Sequence, residues 1–355
     1  MRVETILGSV AVAMLWLAVS AVASAADEPA AKLDWMQKAH GDGRHNSFTD
    51  LIRWQGHYYL CFRHGASHGS MDGEIRILRS VDMKDWQPCA TLRTLGDDRD
   101  PHFVSTEDTL LVYFGVWSLV HPEGHGTPTR GSVRSHFAST QDGQTWSEVR
   151  GVYEPGWWLW RVVRHEGLFY SVGYTAIRPT PSQREGRLLV SDDGLEWSLV
   201  SVVTRDRMPT ESDIWFDGTG AIHLIMRMQD KVNEAFVWRS DPPFEQWDGH
   251  SVGAVIHSPA LARWGDRFFV AGRGVQDGKW VTRLWELVDG QAHELLTLPS
   301  GGDTSYPGLL VDPATANAEA PTLFISWYSQ HERESEPDAT ANTASVYVGR
   351  ITIVP

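Results

Sequence analysis

The chain has 355 residues, with 31 Lys and Arg against 45 Asp and Glu, a formal net charge of −14 and only 2 Cys. So acidic a balance argues against an electrostatic nucleic-acid binder, which needs a basic surface to neutralise phosphates. The 17 Trp, 9 Tyr and 12 Phe suit β-sheets and sugar-stacking faces, and the composition excludes collagen-like, disulfide-dense and disordered chains.

Arg2 precedes an apolar run from Ile6 to Ala25 that ends in Ala23-Ser24-Ala25. A charged start, an apolar stretch and a small-residue exit make a secretory signal peptide. A run of 20 is also long enough for an uncleaved anchor, but Ala and Ser dilute its end. Residues 1–25 are therefore expected to be removed on export to the periplasm or the extracellular space. Residues 26–355 then form a single monomeric domain with no membrane attachment. Export permits disulfides. Cys61 and Cys89, however, fall on the second and fourth strands of one sheet, roughly 9–10 Å apart, beyond disulfide reach. Free thiols are expected.

After the leader, short apolar runs broken by Gly, Asp and Asn replace helical spacing. Each unit opens with a strand, turns, and continues into an aromatic-rich second strand. Phe48 runs to Arg63 through Gln55-Gly56, and His102 to Trp117 through Glu107-Asp108. Trp160 runs to Tyr174 through Glu166-Gly167, and Glu211 to Arg227 through Asp217-Gly218. Ser258 runs to Arg273 through Gly265-Asp266, and Tyr306 opens a sixth unit swollen by Ala314–Ala320. The openings recur every 47 to 58 residues. That period, with four short strands per unit, predicts an all-β fold, a six-bladed β-propeller of four-stranded antiparallel blades. Ser345 to Val354 supplies a final strand, and Lys32 to Gln37 can close the ring.

Four tryptophans mark the outer halves of the units. Trp86, Trp146, Trp197 and Trp247 follow Ser80-Val81-Asp82, Ser139-Thr140-Gln141-Asp142-Gly143, Ser191-Asp192-Asp193-Gly194 and Ser240-Asp241. Ser and Asp side chains bond their own backbone in such turns. The turns resemble the Asp-box hairpin of sialidases, Ser-x-Asp-x-Gly-x-Thr-Trp, in degenerate form. Gln141 takes the Asp place before Trp146, and Val190 the Ser place before Trp197.

Chemistry is expected where inner strands start and second strands end, around one face of the axis. Three second strands end in arginine: Arg63, Arg227 and Arg273. Clustered guanidiniums suit a carboxylate, which they grip through bidentate, charge-assisted hydrogen bonds. The alternative is that each pairs with one of the chain's own acids.

The resemblance to sialidases extends to blade order. In that family a catalytic Glu opens the fourth blade and an Arg of the carboxylate-binding triad closes that hairpin, as Thr210-Glu211-Ser212 and Ile225-Met226-Arg227 do here. Arg273 matches the triad Arg of the next blade, Tyr306 the nucleophilic Tyr, and Asp72, on the loop before Glu74–Arg79, the acid/base Asp. The resemblance implies a glycosidase that needs no metal or cofactor and acts on an acidic sugar of a glycan. A neutral Tyr, deprotonated by Glu, avoids the repulsion that a carboxylate nucleophile would meet beside the sugar's own carboxylate.

The first blade departs from that family. Its Arg-Ile-Pro is replaced by His45-Asn46-Ser47-Phe48-Thr49-Asp50-Leu51, so sialic acid, a uronic acid or another 2-keto sugar acid fits equally. Arg99-Asp100-Pro101 and Trp160-Arg161 open blades two and three, and Asp50, Asp100 and Arg161 join the expected substrate-binding set. The Arg-Asp-Pro triplet also resembles five-bladed furanosidases, in which Asp50, Asp100 and Glu211 would be the catalytic carboxylates. A third reading is a glycan-binding propeller without catalysis. His64, His68, His121 and His125 lack metal-ligand spacing and are expected to line the site or sit in solvent. Trp117, Trp157, Trp158 and Trp160 are candidates for stacking on sugar rings or packing between blades.

Overall fold

The computed structural model describes residues 30–120, 129–176, 184–315, 317–336 and 338–354. The expected leader therefore lies outside the described residues, as do His121 and His125. Six four-stranded antiparallel sheets follow one another in the chain. Their innermost strands are His45–Trp54, Asp97–Ser105, Trp157–His165, Pro209–Phe216, His257–Trp264 and Thr304–Val311, and they open blades one to six. The periodic reading of the sequence holds in every blade. No helix among the described residues is long and apolar enough to cross a membrane.

Blade six is completed by Ala31–His40, which pairs antiparallel with Ser345–Ile353 as its outermost strand. The two ends of the chain thus share one sheet, which closes the ring without exposed inner edges. The apolar core lies between blades. Trp54, Tyr59, Ile75 and Ile77 of blade one pack against Phe103, Val112 and Phe114 of blade two. Phe269 and Ala271 of blade five meet Ile325, Trp327 and Ile351 of blade six in the same way. Cys61 is buried and Cys89 half-buried, both as free thiols.

Two of the Asp-boxes are less degenerate than the sequence suggested, because in blades two and three the true register lies one residue further on, while Ser80 and Asp82 of blade one stand where the sequence puts them. Asp82 accepts the amides of Lys84 and Asp85 at 2.9 and 3.0 Å. Asp142 accepts those of Gln144 and Thr145, and Asp193 those of Leu195 and Glu196. The Ser place is filled by Ser80, Thr140 and Ser191, each bonded to its Asp two residues on. Each box also grips the preceding blade. The Tyr113 hydroxyl donates to the Gly194 carbonyl at 2.6 Å, and a Cβ on Gly194 would sit 2.5 Å from that hydroxyl.

All six innermost strands bulge at the same height. In blade one, Ser47 faces Arg63 and Asp50 faces Cys61, so Phe48 and Thr49 oppose Phe62 alone. The same two-for-one break isolates Asp100-Pro101, Trp160-Arg161, Thr210-Glu211, Ser258-Pro259 and Tyr306-Pro307. Phe48, Asp100, Ser258 and Tyr306 carry positive φ values of 56, 51, 48 and 48°, a conformation that costs side-chain-bearing residues on the order of 1–3 kcal/mol each. A bulge re-aims side chains. Here it turns one residue towards one face of the ring and the next towards the axis or the neighbouring blade.

One consequence corrects the expected site. Arg161 points into the axis, where Nη1 donates to Asp50 Oδ1 at 2.8 Å and Nη2 to the Pro307 carbonyl at 2.7 Å. Its Nε donates to the Pro259 carbonyl at 3.1 Å and lies 3.6 Å from Asp213. Asp50 in turn accepts the Phe103 amide of blade two, and Asp213 the Leu261 amide of blade five. Arg161 and Asp50 are therefore structural, the plug of the ring rather than a substrate cradle. Replacing Arg161 by Met should lower the unfolding free energy by about 3–5 kcal/mol, since two buried carboxylates would lose their cation. Chemical denaturation should register this as a lower midpoint with an unchanged slope.

Candidate active site

A funnel of about 660 Å³ opens where the innermost strands begin, a volume suited to a small ligand. Asp100, Trp160, Glu211 and Tyr306, all bulge residues, form its buried floor. Trp117, Trp158 and Tyr174 add an aromatic wall. Trp157 instead packs under the Arg187 guanidinium, 3.8 Å from its carbon.

At the floor the Tyr306 hydroxyl donates to Glu211 Oε1 at 2.6 Å. Arg227 Nη1 donates to the same oxygen at 2.7 Å and lies 3.4 Å from the phenolic oxygen. Glu211 Oε2 accepts the Ser258 amide at 2.6 Å. Burial pushes the Glu211 carboxyl up, but Arg227, His257 and the Tyr306 hydrogen bond outweigh it and hold the group below its ordinary value. Tyr306 is raised by burial and by the Glu211 charge, against the pull of Arg227 and Arg273. The resting pair is thus a phenol donating to a carboxylate. Asp100, buried against Arg99 and near Glu211, is pushed up to about 6 by burial, which outweighs Arg99. Its Oδ1 is buried with no hydrogen-bond partner among the described residues.

Arg273 approaches the same tyrosine from its face, 4.8 Å above the Tyr306 ring. Its Nη2 donates to Asp303 Oδ1 at 3.0 Å and to the Tyr328 hydroxyl at 2.7 Å, and its Nε to the Thr304 carbonyl. The other Asp303 oxygen meets His45 Nε2 at 3.0 Å and His68 Nδ1 at 2.6 Å. Burial raises Asp303, but the two imidazoles and Arg273 more than reverse it, so the carboxylate is ionised. His45, His68 and Asp303 are also the one trio among the described residues whose atoms could hold a metal ion, lying within 4.8 Å of one another.

The expected residues divide. Glu211, Tyr306, Arg227 and Asp100 meet in the funnel, with Arg273 beside them. Arg63 does not. It is fully buried, with Nε on Asp97 Oδ1 at 2.8 Å and its other nitrogens on the Ser67 and Ser70 carbonyls. Every direction of that guanidinium faces a fixed acceptor, which leaves none for a ligand. Asp72 does not line the funnel either, since Arg44 pairs with it and the Ala66 amide donates to it at 3.1 Å. The furanosidase-type trio fails with Asp50 at the axis. His64 bonds Asp42 and Glu74 outside the funnel, while His68 lines it. Asp303 and Arg184 escaped the sequence reading, although Asp303 lies three residues before Tyr306.

The fold is a six-bladed propeller of four-stranded blades. Among solved structures, a protein of unknown function from Dyadobacter fermentans superposes with a TM-score of 0.76 at 17% identity, covering 92% of this chain and all of that one. An α-L-arabinanase from Penicillium chrysogenum follows with 0.64 at 14% identity, covering 90% and 98%. The endosialidase of phage phi92 gives 0.63 at 11%, covering 92% and 70%. No protein-family model and no curated relative matches the chain.

The elevated Asp100 has a measurable consequence. The folded state holds its proton to about pH 6, whereas the unfolded chain releases it near 3.9. Folding therefore takes up a proton between these values, and stability falls as pH rises through that window. Asp98 and Asp213, also raised to about 6 by burial, act with the same sign. From pH 4.5 to 7 the stability of Asp100→Asn relative to wild type should therefore rise by about 2 kcal/mol. Thermal unfolding at the two pH values measures the difference.

Proposed function

We propose that this protein is an exported glycoside hydrolase acting on a sugar that carries a carboxylate on its anomeric carbon. The observation that carries the reading is the Tyr306 hydroxyl, 2.6 Å from Glu211 at the buried floor of the funnel and flanked by Arg227 and Arg273. A phenol is a poor nucleophile unless a base takes its proton. Glu211, held ionised, is placed to do so, and the two guanidiniums favour negative charge on the phenolic oxygen as it attacks. The same cations would attract a substrate carboxylate. A carboxylate nucleophile would repel it, whereas neutral tyrosine does not.

The first step follows from these contacts. Tyr306 Oη bonds to the anomeric carbon as the glycosidic bond breaks, and the phenolic proton passes to Glu211 Oε1. In the second step water replaces Tyr306 at that carbon, and the proton returns from Glu211 to the phenolate oxygen. Asp100, with one oxygen unpartnered, is suited to hold a hydroxyl of the bound sugar.

The test is a substrate panel on residues 26–355: 4-methylumbelliferyl N-acetylneuraminic acid, the corresponding glucuronide and an aryl arabinofuranoside. Turnover of the ketoside of N-acetylneuraminic acid is expected, lost in Tyr306→Phe and cut about 10²–10⁴-fold in Glu211→Gln. Cleavage of the arabinofuranoside alone would refute the acidic-sugar reading, and binding without cleavage would make the protein a lectin. Arg273→Met should weaken an acidic ligand by roughly 1.5–3 kcal/mol and leave a neutral isostere of that ligand nearly unaffected. Titration calorimetry with both ligands distinguishes a carboxylate contact from general damage to the site.

A further inference from the structure

The glycosidase reading leaves one role unfilled, the donor of a proton to the leaving oxygen. We propose that His68 is that donor, with Asp303 as its anionic partner, and that it later deprotonates the attacking water. The inference rests on the reading above and adds a residue to it.

Direction is the first argument. A displacement proceeds in line, so the leaving oxygen faces away from the attacking Tyr306. Tyr306 lies on the buried floor, and the leaving group must therefore point to the open mouth. Asp100 is only 4% exposed and sits on the floor against Arg99. His68 lines the same funnel with half its side chain in solvent. Its ring stands edge-on to Phe48 at 5.1 Å, and Phe48 in turn meets Tyr306 at 5.0 Å. One aromatic ring thus touches both the half-exposed histidine and the buried tyrosine.

The second argument is how the histidine is held. Arg63 donates to the carbonyls of Ser67 and Ser70 on either side of it, and Asp72 accepts the amide of Ala66. These are the two residues that the sequence reading put in the site itself. The structure makes them supports of the loop that carries His68.

Third, Asp303 fixes the tautomer. An ionised carboxylate can only accept, so His68 Nδ1 carries a proton towards Asp303 Oδ2 at 2.6 Å. Nε2 is then the nitrogen left to exchange a proton with the leaving group. The Asp303 carboxylate is itself clamped by Arg273, Tyr328 and His45. The charged and titratable groups around His68 are Asp303, His45 and Asp100.

The proton balance is complete. As the bond from the anomeric carbon to the leaving oxygen breaks, the Nε2 proton of His68 passes to that oxygen, which departs as an alcohol. The ring is then neutral, with hydrogen on Nδ1. In the second step Nε2 takes a proton from water while the water oxygen bonds to the anomeric carbon and the bond to Tyr306 breaks.

Two ketosides of N-acetylneuraminic acid test this, one with a 4-methylumbelliferyl leaving group and one linked to lactose. The aryl group departs without a proton, and the sugar does not. His68→Gln should lower kcat/KM on the lactose conjugate by about 10²–10⁴-fold and on the aryl ketoside by less than about tenfold, with an unchanged melting temperature. Equal losses on both, no loss on either, or the same leaving-group signature in Asp72→Asn would overturn the inference while leaving the function intact. Wild type inert to both substrates would bring down the glycosidase reading and this inference with it. Turnover abolished by EDTA and restored by Zn²⁺ would make His45, His68 and Asp303 a metal site and overturn the proton transfer.

Discussion

The two-for-one bulge repeated in six strands is the constraint on which the rest of the molecule depends. In a regular strand, consecutive side chains alternate between faces of the sheet, and in a blade both faces are covered by neighbours. A bulge breaks that alternation at the height of the funnel floor. It turns Asp100, Trp160 and Tyr306 upwards and Arg161 into the axis. Amides beside the bulges need new acceptors, since a buried N–H left unpaired is costly. Glu211 takes the Ser258 amide, Asp50 the Phe103 amide and Asp213 the Leu261 amide. Acids on the innermost strands are thus required by the fold before any chemistry is asked of them.

The same pairing decides which arginines remain available. Arg161 spends its three directions on Asp50 and two carbonyls, and Arg63 spends its own on Asp97 and two carbonyls. A guanidinium saturated by rigid acceptors has nothing to offer a ligand. Arg227 differs, because its Nη1 is shared between Glu211 and Tyr306, and its Nε is buried with no partner among the described residues. Arg273 keeps Nη1 free of hydrogen bonds among the described residues while Nε and Nη2 hold it in place. Proximity to the axis is therefore not the criterion for a binding residue. Residual hydrogen-bonding capacity is.

Blade number and ring closure were legible in the sequence because each follows from the repeat, and the Tyr306–Glu211–Arg227 grouping because of the resemblance to sialidases in blade order. What was not legible depends on register. The break between Ser47 and Asp50 moves Asp50 from the funnel to the axis, and no spacing rule reports it. One signal was present and unread: Asp100-Pro101, Ser258-Pro259 and Tyr306-Pro307 each place proline second in the bulge, where it has no N–H to leave unpaired. Two of the Asp-boxes were misread by one residue for a similar reason, since Ser139 and Thr140, or Asp192 and Asp193, compete for the same role until the turn geometry chooses. Asp72 and His68 share a loop, and only the Arg44 contact shows which of them is turned away.

An acidic protein proposed to take an acidic sugar faces an apparent contradiction, and the funnel's construction resolves it. The net charge of −14 acts at long range, but salt at physiological strength screens exposed charges beyond about 8 Å. Inside the funnel the walls are Trp117, Trp158, Trp160 and Tyr174, a low-dielectric lining that lets nearby charges be felt more strongly. The groups within reach are Arg99, Arg184 and Arg227 on the lining, with Arg273 against Tyr306. Of the opposing acids, Asp100 is pushed up to about 6, and Glu211 is neutralised by its contact with Arg227. Asp303 is ionised but enclosed by two imidazoles, a phenol and a guanidinium. The field at the floor is set by these few pairings. Its sign owes nothing to the composition of the chain.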